Sequence, residues 1–274
     1  MLNVERPSLR NRIVRLAQFA AAAMIALLVS GGAARAATLT VTTTEDELTP
    51  NDGSVSLREA ITVMNARSNL GDPDIIAQNP GTFGLNDTIR FNIPGTGLRV
   101  IHVGSSASAP GIPLQQILRP LVINGYTQPG SHVNTRSIGD NALLLIELNG
   151  ASAGAAANGL DLAGGATTVR GLVINHFSAN GILIESGGNT IAGNFIGTDS
   201  RGTNPGPGNA NDGIQITKGP NTIGGEDPAS SNIISFNKVN GIEVIVPTIL
   251  IDGNLIGNNS HKDVQVTGSI VVEQ

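Results

Sequence analysis

The sequence predicts an all-β protein, a right-handed parallel β-helix built from coils of about 22 residues, with a short N-terminal capping helix. Three observations predict this class. Gly accounts for 35 of 274 residues, while Cys and Trp are absent and aromatic residues make up only 3%. Short motifs recur at spacings of 22 residues or somewhat more. Apolar residues alternate with period 2 inside these motifs, as in strands. Such a chain has to build its core from stacked aliphatic side chains.

The first 36 residues have the pattern of a secretory signal peptide. Four Arg residues precede an apolar segment at 16–29, and Ala34-Arg35-Ala36 provides a cleavage site before Ala37. A membrane anchor is the alternative, but this segment is shorter than the ~20 apolar residues that span a bilayer. We expect an exported protein, extracellular, on the cell surface or periplasmic, without a membrane span after cleavage.

The net charge of the chain limits the classes of partner that it can bind. Removing residues 1–36, which contain five Arg and one Glu, changes the net charge from −5 to −9. An acidic surface disfavours nucleic acid and anionic lipid as partners. The absence of Cys excludes disulfides, so the stability of an exported chain must come from its core and its hydrogen bonds.

Residues 37–110 are predicted to form an N-terminal cap region. Ser56 and Glu59 form a capping box that begins a short helix ending near Ala66. The apolar face of this helix, with Leu57 and Ile61, would cover the open end of a stack of coils. The irregular N-terminal portion as a whole has strand-like patterns at 39–43, 88–91, 100–103, 121–123 and 143–148.

Residues 111–274 are predicted to form the β-helix repeats. Asn or Asp followed by Gly and two alternating apolar residues occurs at Asn158, Asn180, Asp212 and Asn240, with spacings of 22, 32 and 28. The longer spacings correspond to insertions at 198–210 and 226–231, which are rich in Gly, Pro, Asp and Ser. One further period predicts another rung at 262–266.

The repeat also predicts how the corners are built. Asn158, Asn180 and Asn240 would form a ladder in which each amide bonds the next, and Gly would suit the corners because it tolerates a positive φ. A leucine-rich repeat has a similar length but needs the L-x-x-L-x-L pattern, which is absent. A β-sandwich would not maintain a 22-residue period.

The segment Val55-Ser56-Leu57-Arg58-Glu59-Ala60-Ile61 resembles the CSLREA motif of secreted bacterial proteins, with Val55 in the place of the Cys. Stretches at 123–130 and 194–199 resemble further segments of that family. The resemblance covers nearly all of the chain after residue 36, and it implies a pectin-lyase-like parallel β-helix. It does not imply one activity. We assign structural roles to Ser56, Leu57, Arg58 and Glu59, because the capping box and the apolar face of the helix account for this segment.

Candidate residues for chemistry are few. Asp199 and Arg201 lie in the longest insertion, Asp212 follows it, and Lys218 comes shortly afterwards. The two carboxylates could bind Ca²⁺, and the two basic side chains could bind a uronate. The same residues are also typical of turns and solvated corners. The four His residues have no metal-ligand spacing, and His176 is interpreted as a corner residue. We therefore expect no metal or cofactor, with Ca²⁺ as the one ion that the insertion would suit.

Two classes of function remain at this stage. The first is a non-catalytic surface or extracellular interaction module that contacts polysaccharide or another cell-envelope component. The second is a pectin-lyase-like polysaccharide lyase or glycoside hydrolase. The first is favoured because no dense group of carboxylates is imposed by the repeat. The apparent strand at 270–272, with no capping helix after it, predicts self-association through the last coil.

Overall fold

The structure is a computed structural model, and it describes residues 36–203, 206, 208–246 and 249–267. The predicted signal peptide, apart from Ala36, and the apparent strand at 270–272 lie outside these residues. Strands dominate the described part of the chain. In chain order they are β1 (Thr38–Val41), β2 (Asp87–Phe91), β3 (Arg99–His102), β4 (Leu121–Asn124), β5 (Ile146–Asn149), β6 (Leu160–Leu162), β7 (Thr168–Arg170), β8 (Leu172–Asn175), β9 (Ile182–Ile184), β10 (Thr190–Ala192), β11 (Phe195–Ile196), β12 (Ile214–Ile216), β13 (Thr222–Gly224), β14 (Ile233–Ser235), β15 (Ile242–Val244), β16 (Leu250–Asp252), β17 (Leu255–Gly257) and β18 (Val264–Val266).

These strands form three parallel sheets, and from β4 onwards successive strands belong to the first, second and third sheet in turn. The first sheet has the order β1-β2-β4-β7-β10-β13-β16, the second β3-β5-β8-β11-β14-β17 and the third β6-β9-β12-β15-β18. This is the arrangement of a parallel β-helix, and it confirms the predicted fold class.

The register of the third sheet follows the spacing of the sequence repeat. Ile182 pairs with Leu160 on one side and with Ile214 on the other, and Ile214 pairs with Ile242, which pairs with Val264. The extra residues at 198–210 lie between β11 and β12, and those at 226–231 lie between β13 and β14. Each insertion therefore extends a corner and leaves the stacking of the strands intact.

The core consists of inward-facing aliphatic side chains at equivalent positions of successive coils. Ile182, Ile214 and Ile242 are fully buried, whereas Leu183, Gln215 and Glu243 between the inward positions face outward. Since neighbouring rungs of a sheet lie ~4.8 Å apart, each buried methyl group meets its equivalents above and below. No Trp or disulfide is needed for this type of core.

Two short helices precede β2. Helix α1 (Leu57–Ala66) has Ser56 as its N-cap, with the complete predicted capping box, and it contacts β1 and β2. Its residues Leu57, Ile61 and Met64 are buried in the main core, so the helix covers the first rungs as predicted. Helix α2 (Pro73–Ala77) has Asp72 as its N-cap. None of the described helices is long and apolar enough to cross a membrane.

The predicted strand at 143–148 begins later than expected, at Ile146. Leu143 instead forms an antiparallel bridge with His132. Leu144 packs on the outer face of the second sheet, against Val173 and Phe195. The loop between β4 and β5 therefore uses its apolar residues to cover this face, which local alternation of residue types does not reveal.

Amide ladders hold the corners of the coils together. The backbone N–H and side-chain amide of Asn180 both donate to Asn158 Oδ1, at 3.1 and 3.2 Å. Asp212 N–H donates to Asn180 Oδ1 at 3.1 Å, and Asn240 N–H donates to Asp212 Oδ1 at 2.8 Å. Three further ladders of the same kind hold other corners. The first joins Asn189 to Asn221. The second consists of Asn194, Asn232 and Asn254, and the third of Asn209, Asn237 and Asn259.

The glycine of the repeated motif serves a different purpose from the one predicted. Gly181 and Gly213 do not have a positive φ. A Cβ atom on Gly181 would lie 2.6 Å from the Gly213 carbonyl oxygen, and one on Gly213 would lie 2.6 Å from that of Gly241. Gly is therefore required here because successive coils approach closely, and not because of backbone conformation.

Candidate functional site

Asp199 and Arg201 form part of a turn after β11. Asp199 Oδ1 accepts the backbone N–H of Arg201 at 3.1 Å, and its carbonyl accepts the N–H of Gly202 at 3.1 Å. The Arg201 side chain is exposed. These bonds are those of a polar turn.

Asp212 and Lys218 lie at opposite ends of β12. Asp212 is buried as a rung of the amide ladder, whereas Lys218 is exposed. Burial raises the pKa of the Asp212 carboxyl; hydrogen bonds from Asn240 oppose this, and the neighbouring Glu243 carboxyl adds to it. Asp212 therefore belongs to the third-sheet corner, while Asp199 lies in the corner after the second sheet.

The outer face of the third sheet carries a set of hydrogen-bonded polar side chains, here called the amide–carboxylate row: Gln116, Asp161, Glu185, Gln215 and Glu243. Gln116 precedes Ile117, which forms a parallel bridge with Leu162 in β6. The Gln116 amide donates to both Asp161 Oδ2 and Glu185 Oε2 at 3.0 Å. The Gln215 amide donates to Glu243 Oε2 at 2.6 Å. The row thus extends over four successive coils, those of β6, β9, β12 and β15, in two hydrogen-bonded groups of side chains.

The carboxylates in this row interact with one another. Burial raises the pKa of Asp161 to about 6; the hydrogen bond from Gln116 lowers it, and the adjacent Glu185 raises it further. Asp161 Oδ1 is buried without a hydrogen-bond partner in the structure. At neutral pH the row therefore offers mainly acceptor oxygens, which suit hydroxyl donors and repel anions.

A second polar group lies on the outer face of the second sheet. Glu147, in β5, is buried, and its Oε1 accepts the Asn149 amide at 3.1 Å. His102 pairs with Asn149 across β3 and β5, and Asn149 pairs with Asn175 across β5 and β8. His176 follows Asn175, and its Nδ1 lies 2.7 Å from Asn175 Oδ1. The sheet register therefore brings together residues from three coils.

The hydrogen bonds orient the imidazole of His176. The Asn175 amide donates to the Thr198 carbonyl at 2.9 Å and leaves Asn175 Oδ1 2.7 Å from Nδ1, while the Asn149 amide nitrogen lies 3.1 Å from the same Nδ1. An amide oxygen and an amide nitrogen both face Nδ1, so these contacts position the ring and are compatible with either tautomer. Burial lowers the pKa of His176; the Glu147 carboxylate opposes this, and His102 adds to it. The ring is therefore a neutral base at pH 7.

The sequence predicts a corner position for His176, but it does not predict that Glu147 and Asn149 lie nearby. In the structure His176 does lie at a corner, with a φ of 65°. The signal that could have found the group is the pairing of Asn149 with Asn175, since residues in register share one outer face. Within the described ranges, no group of three or more His, Asp and Glu side chains is arranged to hold a metal ion.

Comparison of the chain with models of known protein families, with curated proteins and with solved structures finds no match. Function therefore has to be argued from the side chains.

Proposed function

We propose that the protein is an exported, non-catalytic β-helix repeat protein of the CSLREA type, acting as an extracellular or cell-surface interaction module that contacts polysaccharide. The amide–carboxylate row carries this proposal. Its side chains project from a rigid sheet at the spacing of successive rungs, ~4.8 Å. An ordered array of this kind loses little entropy when it binds a chain of hydroxyl groups.

The composition of the row favours neutral polysaccharide over polyuronates. Asp161, Glu185 and Glu243 contribute acceptor oxygens, and Lys218, which would attract a uronate, is exposed beyond the far end of β12. A polyanion would approach three carboxylates on a chain whose net charge after residue 36 is −9.

The CSLREA assignment is supported by what its motif residues do. Ser56 and Glu59 cap α1, Leu57 is buried, and Arg58 forms an ion pair with Asp46. These contacts lie where the motif begins the helix that covers the end of the core, and they support the assignment.

Binding of the chain beginning at Ala37 to a panel of neutral and acidic polysaccharides tests the proposal. We expect binding to a neutral member and an affinity at least about tenfold lower for Q215A, which removes the amide, and for E243Q, which replaces a charged acceptor oxygen with a donor, since a hydrogen bond to a charged group is worth about 1.5 kcal/mol. E226Q, in the exposed corner after β13, is the control. Equal binding by all variants would contradict the assignment to this face.

A polysaccharide lyase or hydrolase is the second candidate function, favoured by the oriented imidazole of His176 beside the buried Glu147. A neutral imidazole has one unprotonated ring nitrogen, which can take a proton from a substrate carbon or a water molecule. The test is to incubate the chain with pectins and other uronate polymers, with and without Ca²⁺. Unsaturated products or new reducing ends that disappear in H176A would establish this function and overturn the non-catalytic proposal.

Export is tested separately by fractionating the source cells and sequencing the N-terminus of the exported chain. We expect the mature chain to begin at Ala37. A chain that stays in the cytoplasm with Met1 intact would contradict export.

A further inference from the structure

In the described part of the chain, the charged groups that act on two buried glutamates of the N-terminal cap are all carboxylates. The group, here called the cap carboxylates, consists of Glu47, Asp52, Glu59 and Asp72, around the first turn of α1. Glu47 is 8% exposed and Glu59 is 5% exposed. Each has an Oε1 atom that is buried and has no hydrogen-bond partner in the structure.

The other oxygens of these two glutamates hold them in place. Glu59 Oε2 accepts Ser56 N–H at 2.8 Å, and Glu47 Oε2 accepts Thr49 N–H at 3.0 Å. Ser56 Oγ donates to the Glu47 carbonyl at 2.7 Å and accepts Glu59 N–H at 3.0 Å. One serine therefore fixes the Glu47 backbone against the helix turn that carries Glu59.

The charges that act on Glu59 are all negative. Burial raises the pKa of Glu59 to about 7; the hydrogen bond from Ser56 lowers it, and Glu47, Asp72 and Asp52 raise it. Burial also raises the pKa of Glu47, and a contact with Asp52 adds to this rise. Arg58 does not compensate them, because its guanidinium is bound to Asp46 and to the Ile112 and Pro113 carbonyls.

A buried carboxylate oxygen without a hydrogen-bond partner is unfavourable, because it has lost its hydration and gained nothing in return. Either a bound cation or a proton can remove this penalty. The partly free oxygens are hard ligands, and no Cys exists in the chain. Hard oxygen ligands select Ca²⁺ or Mg²⁺ over transition metals, and Ca²⁺ tolerates irregular geometry better.

We propose that the cap binds one Ca²⁺ ion through the unpartnered Oε1 atoms of Glu47 and Glu59, with Asp52 and Asp72 adding negative potential. Since the described residues hold no preformed group of three acidic or His ligands, and the two Oε1 atoms are buried, binding requires the segment before α1 to open enough to admit water as the remaining ligands. So few protein ligands place the dissociation constant in the ~10⁻⁴–10⁻³ M range of extracellular modules. The ion would tie the segment before α1 to the helix.

Thermal unfolding at pH 8, with Ca²⁺ from zero to about 10 mM and NaCl at matched ionic strength, tests the proposal. Wild type should unfold at a higher temperature as Ca²⁺ increases. E59Q and E47Q each retain the accepting oxygen for Ser56 N–H or Thr49 N–H but lose a negative charge. Both variants should be insensitive to Ca²⁺, and both should be more stable than wild type without it. E226Q should respond as wild type does.

A purely structural role for these glutamates would not produce that combination of results. No Ca²⁺-dependent shift in wild type, or the same shift in E47Q and E59Q as in wild type, would overturn the site. Calorimetric titration of Ca²⁺ into folded wild type provides a direct readout that is independent of variant folding. It is also independent of the polysaccharide assay.

Discussion

Arg58 shows how one charged residue can stabilise an apolar cap. Its guanidinium donates to both carboxylate oxygens of Asp46, at 2.8 and 2.6 Å, and to the Ile112 and Pro113 carbonyls at 2.8 Å. Asp46 Oδ2 also accepts Gly104 N–H at 2.6 Å. The pair thus connects α1 with the segments that follow β3, and both side chains are buried.

R58M should lower the free energy of unfolding by about 3–5 kcal/mol, because it leaves the Asp46 charge buried without a partner. Urea denaturation measures the effect. R90M, which replaces an exposed arginine of β2, should change stability by less than about 0.5 kcal/mol. Similar losses in both variants would show that the Arg58 ion pair is not important for stability.

Glu59 should make stability pH-dependent in Ca²⁺-free buffer. Its pKa of about 7 in the folded state lies above the ordinary value of 4.5, so its stabilising contribution is fully present below pH 4.5 and is lost as the pH rises through 7. Denaturation midpoints across this window should fall with increasing pH, and the fall should be smaller in E59Q. Identical pH profiles would rule out this residue as the source.

Asp212 occupies a position that an amide fills in neighbouring rungs. D212N should raise the free energy of unfolding at pH 7 by about 1 kcal/mol, because it removes a buried charge near Glu243 and adds a donor for Asn180 Oδ1. Urea denaturation checks this expectation. A loss of stability would mean that the carboxylate itself is needed in the ladder.

At the scale of the element, the repeated Asn/Asp-Gly motif provides two kinds of contact between coils. The Asn side chain bonds the next rung, and the Gly allows the backbones to approach. Alternation of residue types predicted the strands of the third sheet, since their inward and outward positions differ clearly. It predicted the start of β5 less well. Leu144 precedes β5 and is buried in an apolar cluster on the outer face of the second sheet, so its apolar character does not mark an inward strand position.

G213A should destabilise the protein by about 1–3 kcal/mol, the usual range for overpacking, because its Cβ would lie 2.6 Å from the Gly241 carbonyl oxygen. G257A, in β17, has no atom within 4 Å of the added Cβ and is the matched control. Chemical denaturation of both variants tests the prediction. Equal stabilities would show that the coils can separate enough to accept a methyl group.

At the scale of the whole molecule, the two ends of the described stack differ. Helix α1 covers the first rungs, whereas the last described rungs, β16 to β18, leave Leu250, Leu255 and Val264 between 38% and 47% exposed. Each of these strands pairs with the preceding coil on one side. Parallel edges with exposed apolar side chains favour pairing with another strand.

We expect the chain to self-associate through this coil in a concentration-dependent way. L255K combined with V264K should shift the mass measured by light scattering towards the monomer, because charged edges resist pairing. L85K is the control, since Leu85 is 63% exposed near the opposite end of the chain. A wild-type monomer at all concentrations would contradict the prediction.

The repeat, the strand positions of the later coils and the capping helix can all be predicted from the sequence, because each depends on residues close together in the chain or one period apart. Which outward residues meet depends on how the strands pair in the folded protein. Glu147 and His176 share a face because β5 and β8 pair in register, and Gln116 reaches Asp161 and Glu185 because Ile117 bridges to β6. The insertions make the coils unequal in length, so contacts between outward residues depend on the register of the sheets as well as on the average period.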